Sequence, residues 1–236
     1  YIHIAFSKSH HESRSIIITW NIIRVQTVCY ATSTNISLIW SDTATIGIYY
    51  NRTRDGAFIK NANHTLEVYD EYGNPVTAPS GAFVITEDIN VYRLNINTTF
   101  LEVTLYVLEI TFSKDHHDLA SVRIFVRVDP IPAYAVPNVK SVSVEYPSNF
   151  TIKVWYYTNK YNITDANATY AIDYGGAIID SGNLTFNSTD NSYELLINSR
   201  DLFSKSGASD LPISLTVYTY LSKEYHESKT LILAVT

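Results

Sequence analysis

The stretch FSKSHHESRSIII at residues 6–18 returns as FSKDHHDLASVRI at 112–124. Phe6, Ser7, Lys8, His10, His11, Ser15 and Ile18 are matched by Phe112, Ser113, Lys114, His116, His117, Ser121 and Ile124, at an offset of 106 residues. The same offset carries Ser37 onto Ser143, Thr45 onto Thr151, Ile46 onto Ile152 and Tyr50 onto Tyr156. A third copy, LSKEYHESKTLIL, begins at Leu221. Between the copies, NANHT at 61–65 answers DANAT at 165–169, and Tyr92, Leu94, Ile96 and Asn97 answer Tyr193, Leu195, Ile197 and Asn198. A fixed period of this kind means one structural unit used in series rather than a single continuous core. Two full units are present, preceded by the tail of another.

Each unit reads as short alternating segments separated by turn residues, the pattern of half-buried strands in an antiparallel sandwich. The first unit is expected to hold strands at 34–40, 43–50, 63–69, 81–86, 91–97, 101–112 and 121–128. The second is expected to hold them at 140–146, 150–158, 168–173, 182–187, 192–198, 213–221 and 229–236. Ile46, Ile48 and Tyr50 fall on one face, as do Ile152, Val154 and Tyr156, so these faces are read as core. No segment sustains a 3.6-residue period beyond about three turns. DLFSKSGASD at 201–210 is given one helical turn. The expected domains are a terminal hairpin at 1–24, sandwiches at 25–129 and 140–236, and a semi-rigid connector at 130–139 set by Pro130, Pro132 and Pro137. The first 24 residues hold only the closing hairpin of a unit whose other strands are absent, and an isolated hairpin is marginal in water. It is expected to pair within a larger protein or to complete a neighbouring subunit's sheet by strand addition.

Composition narrows the function. Hydrophobic residues make up 46% and charged residues 17%, which supports packed cores and excludes a disordered chain. A net charge of −6, with few and scattered Lys and Arg, argues against a nucleic-acid partner. Cys29 is the single cysteine, so no intramolecular disulfide forms, and it is read as a buried structural residue. No apolar run approaches the roughly 18 residues of a membrane span, and no targeting segment is visible. The chain starts at Tyr1 and contains no Met, which is read as a processed protein or a piece of a longer one.

The acceptor triplet N-x-S/T occurs at Asn35, Asn51, Asn63, Asn97, Asn149, Asn162, Asn167, Asn183 and Asn187, nine of the eighteen asparagines. Chance at this Ser and Thr content gives roughly three or four. N-linked glycans are therefore expected at these positions, with each asparagine facing solvent and shielding sheet edges. Asn35 and Asn149, beside strands, are the acceptors most open to being unused. The excess points to an extracellular, cell-surface location.

Searches for chemistry find little. The pairs His10/His11 and His116/His117, each followed by Glu12 or Asp118, suggest a metal, but neighbouring strand residues point to opposite faces and Tyr225 replaces the first histidine in the third copy. They are read as hairpin-loop residues. YDEYGNP, with Asp70, Glu71 and Asn74, is a weak calcium candidate without EF-hand spacing and reads as a turn on Gly73 and Pro75. Ser113, His116 and Asp118 crowd one loop with no oxyanion site. No catalytic residue, metal site or cofactor is assigned.

The F-S-K-x-H-H-E/D hairpin, the D-x-x-G-N-P turn and the proline-rich link resemble tandem immunoglobulin-like (Ig or Fn3-like) repeats of large archaeal cell-surface glycoproteins. The D-x-x-G-N-P turn also looks like those of bacterial adhesin and invasin domains. The resemblance implies an all-β fold of tandem β-sandwiches and a structural role in a surface layer, stalk or extracellular filament. Its partners are then other copies or modules of the same protein. The competing reading is an adhesin or glycan-binding module that uses end loops and exposed Tyr or Trp.

Overall fold

The computed structural model describes residues 2–19 and 21–236; Tyr1 and Trp20, within the expected terminal hairpin, lie outside the described residues. Strand β1 (Ile2–Phe6) pairs with β2 (Arg14–Ile18) as a separate two-stranded sheet, Ile2 opposite Ile18 and Phe6 opposite Arg14. The chain then divides into two compact units. One comprises residues up to Ile36, Thr43–Phe100 and Leu105–Arg127; the other comprises Ser37–Asp42, Leu101–Thr104 and Val128–Thr236.

The first sandwich uses β3 (Thr27–Ala31), β4 (Asn35–Ile39), β5 (Thr43–Arg52), β6 (Asn63–Tyr69), β7 (Phe83–Asp88), β8 (Val91–Asn97), β9 (Leu105–Ser113) and β10 (Ala120–Asp129). Its sheets run β3-β5-β8-β7 and β4-β10-β9-β6. Lettered from A along the chain, with β4 as a second half of A, this is A-B-E-D against a sheet carrying G-F-C, the immunoglobulin-like strand order. Alternation within the strands makes the core. Ile46, Ile48 and Tyr50 of β5 are buried, with Leu94 and Ile96 of β8, Leu108, Ile110 and Phe112 of β9, and Ile124 of β10. Each such fully buried side chain is worth about 1.5–3 kcal/mol relative to exposure.

The second sandwich uses β11 (Tyr134–Pro137), β12 (Ser141–Val142), β13 (Asn149–Tyr157), β14 (Asn167–Tyr174), β15 (Ala177–Asn183), β16 (Thr185–Asn187), β17 (Ser192–Asn198), β18 (Leu215–Ser222) and β19 (Lys229–Val235). Its sheets run β11-β13-β17-β16 and β12-β19-β18-β14-β15. The letters repeat, with β15 added beside β14. One core cluster joins Ile152, Val154 and Tyr156 to Ile172, Leu195, Val217 and Leu233.

Three expectations are corrected. Tyr134–Pro137 is not connector: it pairs with Val154–Tyr157 as the first strand of the second sandwich. Proline is tolerated there because β11 is an edge strand with one unpaired side. Thr27–Ala31, not anticipated as a strand, is the corresponding edge of the first sandwich. The single turn expected at 201–210 is an eight-residue helix, α1 (Ser199–Ser206), where the side chain of Asn198 accepts from the N–H groups of Arg200 and Asp201. Gly207, at φ 66°, ends it in the left-handed conformation that glycine adopts without strain.

Candidate functional site

The repeated loop between the last two strands is the chemically richest part of each unit, and its residues close the fold. In the turn that opens it, the N–H of His117 donates to the carbonyl of Lys114, and that of His226 to the carbonyl of Lys223, both at 3.0 Å. The residue between, His116 at φ 65° or Tyr225 at φ 60°, takes the left-handed conformation. Histidine is among the non-glycine residues enriched there. The second histidine then braces the loop. Nδ1 of His117 lies 2.8 Å from the carbonyl oxygen of Asp115, and Nδ1 of His226 lies 2.7 Å from that of Glu224. A carbonyl only accepts, so Nδ1 carries the proton. Nε2 of His226 then accepts from the Tyr161 hydroxyl at 2.8 Å.

Each loop grips the chain entering its own sandwich. The N–H of Val25 donates to the carbonyl of His116, and the N–H of Asp118 donates back to the carbonyl of Val25, both at 2.9 Å. Ile131 does the same with Tyr225 (2.8 Å) and Glu227 (3.0 Å). From inside, the Tyr50 hydroxyl donates to the carbonyl of Asp118 (2.7 Å), and the Tyr156 hydroxyl to that of Glu227 (2.5 Å). The motif lysine fastens the neighbouring loop. Nζ of Lys114 donates to the carbonyl of Asn61 (2.8 Å), and Nζ of Lys223 pairs with the Asp165 carboxylate (2.6 Å).

A second buried tyrosine explains the NANHT and DANAT repeats. Tyr92 donates to the carbonyl of Ile59 and accepts from the N–H of Ala62, both at 2.9 Å. Tyr193 donates to the carbonyl of Ile163 (3.0 Å) and accepts from the N–H of Ala166 (2.7 Å). Burial raises the pKa of Tyr50, Tyr92 and Tyr193, and pushes Tyr156 up to about 12, so all four hydroxyls keep their protons at neutral pH.

Of the residues weighed for catalysis or metal binding, His116, His117 and Asp118 are engaged in these contacts. Asp118 serves through its backbone, its carbonyl also accepting from Thr27 Oγ1 at 3.0 Å. Among the described residues, no three His, Cys, Asp or Glu side chains converge as metal ligands. In YDEYGNP, Asp70 Oδ1 accepts from the N–H groups of Tyr72 (2.9 Å) and Asn74 (2.8 Å), and Oδ2 from Asn74 Nδ2 (2.9 Å). Both oxygens of that carboxylate are spent inside the turn, with Gly73 at φ 83°. An apolar cleft of about 360 Å³ opens in the second unit among Val144, Tyr146, Phe150, Leu202, Phe203 and Pro212; its lining includes no Asp, Glu, His, Lys or Arg side chain. Cys29 is half-buried, and burial pushes its pKa up to about 12, which holds it as an unreactive thiol.

The asparagines of the N-x-S/T triplets cluster at strand ends. Asn35, Asn63, Asn149 and Asn167 are the first residues of β4, β6, β13 and β14, and Asn97, Asn183 and Asn187 are the last of β8, β15 and β16. Asn35, Asn63, Asn149, Asn162, Asn167 and Asn183 are exposed; Asn97 and Asn187 are half-buried. Asn187 Nδ2 donates to the Glu194 carboxylate at 2.9 Å. Asn51 departs from the expectation that every acceptor faces solvent. It is 9% exposed, paired opposite Val28 between β3 and β5, and its Nδ2 donates to the Tyr30 hydroxyl at 3.4 Å. The triplet pattern is blind to which side of a strand its asparagine takes.

No protein-family model and no curated protein matches the chain. Among solved structures, it is similar to the titin domains Z1Z2 in complex with telethonin, at 14% identity over 88% of this chain and 94% of that one, with a TM-score of 0.41. It is also similar to the Yersinia pseudotuberculosis adhesin InvE, at 9% identity over 89% of this chain and 58% of that one, TM-score 0.36. Fibronectin(III)-like modules of Clostridium thermocellum CbhA share 9% identity over 88% of this chain and 92% of theirs, TM-score 0.30. No helix among the described residues is long and apolar enough to cross a membrane. By its own strand order, the chain is an all-β protein of tandem immunoglobulin-like sandwiches.

Proposed function

We propose that the chain is a load-bearing part of an extracellular glycoprotein assembly of the archaeal surface-layer, stalk or filament kind, built by repeating one self-clamping module. The observation that supports this best is the recurrence of the same clamp in both units, loop to entering strand and tyrosine hydroxyl to loop carbonyl. Residue types that elsewhere perform chemistry are committed here to closing loops, so the role is mechanical rather than catalytic. The modules begin at the residues their own loops grip and run 25–129 and 131–236, after the hairpin at 1–24. Exposed strand-end acceptors suit N-linked glycans that add solubility and obstruct sheet edges. Glycopeptide mass spectrometry of native material tests the surface-glycoprotein part. Sugar is expected on several of Asn35, Asn63, Asn149, Asn162, Asn167 and Asn183; bare asparagine at all of them rejects it. Imaging of the assembled particle separates lattice from filament by symmetry.

The adhesive reading has its own support. Tyr30 stacks on Tyr49 (ring centroids 5.1 Å apart) and Tyr134 on Tyr157 (5.7 Å), so each sandwich carries a partly exposed tyrosine pair across its first two paired strands. Such faces stack on sugars. Glycan-array binding that Tyr30→Ala and Tyr134→Ala abolish favours adhesion over pure scaffolding.

A further inference from the structure

The hairpin β1–β2 carries the inward face of a closed sandwich with nothing on it. Ile2, Ile4, Phe6, Ile16 and Ile18 are 37–58% exposed, whereas the residues 106 positions on, Leu108, Ile110, Phe112, Val122 and Ile124, are at most 8% exposed. The outward position behaves oppositely: Ile17 answers the solvent-facing Arg123. The loop has already taken its working shape, with the N–H of His11 donating to the carbonyl of Lys8 at 3.0 Å and His10 at φ 62°. Neither sandwich of this chain has a vacancy for it, because β9–β10 and β18–β19 fill both closing positions.

Spacing identifies the occupant. Val25 lies nineteen positions after Phe6, and Ile131 nineteen positions after Phe112. Val25 and Ile131 are the residues gripped by the loops of their own sandwiches. Along the sequence, the hairpin therefore precedes the first sandwich by the interval at which one complete module precedes the next. A strand pair donated to a separate molecule has no need of that interval.

We infer that β1–β2 is the F–G pair of a further module of this repeat, and that the A-to-E strands of that module, in the same polypeptide, cover its apolar face. The clamp specifies the partner. A B-strand tyrosine donates to the carbonyl of Glu12, as Tyr50 and Tyr156 do to Asp118 and Glu227. An aliphatic residue in the entering strand donates its N–H to the carbonyl of His10 and accepts from the N–H of Glu12. A carbonyl or carboxylate from the loop before strand C receives Lys8.

Hydrogen exchange of residues 2–18, compared between the 236-residue chain and the polypeptide extended by whatever the gene encodes before Tyr1, tests this. In the extended protein these amides are expected to exchange at least a hundredfold more slowly. Phe6→Asp removes the protection, while Ile17→Asp keeps it. The inference is overturned by a gene that encodes no such strands, by equal exchange in the two proteins, or by equal effects of the two substitutions. Protection of the 236-residue chain that grows with its concentration also overturns it, because the cover is then a second copy.

Discussion

The two sandwiches close the same seam with different side chains. In the first, Phe112 lies against Tyr92 and Tyr50, with ring centroids 4.6 and 5.6 Å apart. In the second, Leu221 takes the place of Phe112, and Tyr193 packs instead on Phe186 at 5.1 Å. The tyrosine hydroxyls and their backbone partners do not change. A hydrogen bond to a buried carbonyl or N–H has one geometry, whereas an apolar volume can be filled in several ways. Both sandwiches carry ion pairs, with arginine as the cation in the first (Arg52–Asp55, Arg93–Asp88, Arg123–Glu109) and lysine in the second. Lys153 lies 2.6 Å from Asp190 and 2.7 Å from Glu194, and Lys223, Lys205 and Lys229 each meet a carboxylate.

The strongest way to break this comparison is at the variable position. Phe112→Ala is expected to destabilise the first sandwich by about 3–5 kcal/mol, measured by denaturant unfolding with hydrogen exchange read separately in each unit. Phe112→Leu, which copies the second sandwich, should cost less than about 1.5 kcal/mol. Equal costs would show that the ring itself is required. Next come the constant positions. Tyr92→Phe and Tyr193→Phe each leave a buried carbonyl and N–H without their partner, for about 1–3 kcal/mol in the same assay. A loss confined to one unit contradicts the shared clamp.

Acid should separate the units by a smaller margin. Hydrogen bonds from lysine hold Asp165, Asp190, Glu194 and Glu227 of the second unit below their ordinary values of 3.8 and 4.5. In the first unit, Asp70 is lowered by Asn74 and Asp88 by Arg93. A depressed native pKa gives stability that is full above the ordinary carboxylate range and lost as pH falls through the depressed value. The second unit should therefore lose more stability below about pH 4, a modest effect because these groups are exposed to solvent. Unit-resolved exchange at stepped pH measures it. Lys205→Met is the smallest change, under about 1 kcal/mol in denaturant unfolding, since its pair with Asp180 lies at the surface.

The repeat made much of the fold legible. It located both sandwiches and placed Ile46, Ile48 and Tyr50 in one core and Ile152, Val154 and Tyr156 in the other. It also located the histidine loops without showing what they hold, because the bonds from Val25 and Ile131 join residues far apart in the chain. What escaped were edges. β3 and β11 pair on one side only, and in β11 the proline at Pro137 reads locally as a break. β15 was visible only at its end, since Asp173 and Gly175–Gly176 precede a strand with little apolar alternation. Asn51 escaped because burial at the end of a strand depends on what lies across the sheet.

Were Asn51 to accept a glycan, that glycan would serve as a timekeeper of folding. Once β5 has met β3 its amide is out of reach, so any sugar found there was attached before the sheet zipped shut. The fraction of chains carrying it would measure a race between the transferase and folding, and a slower-folding variant would shift that fraction upward.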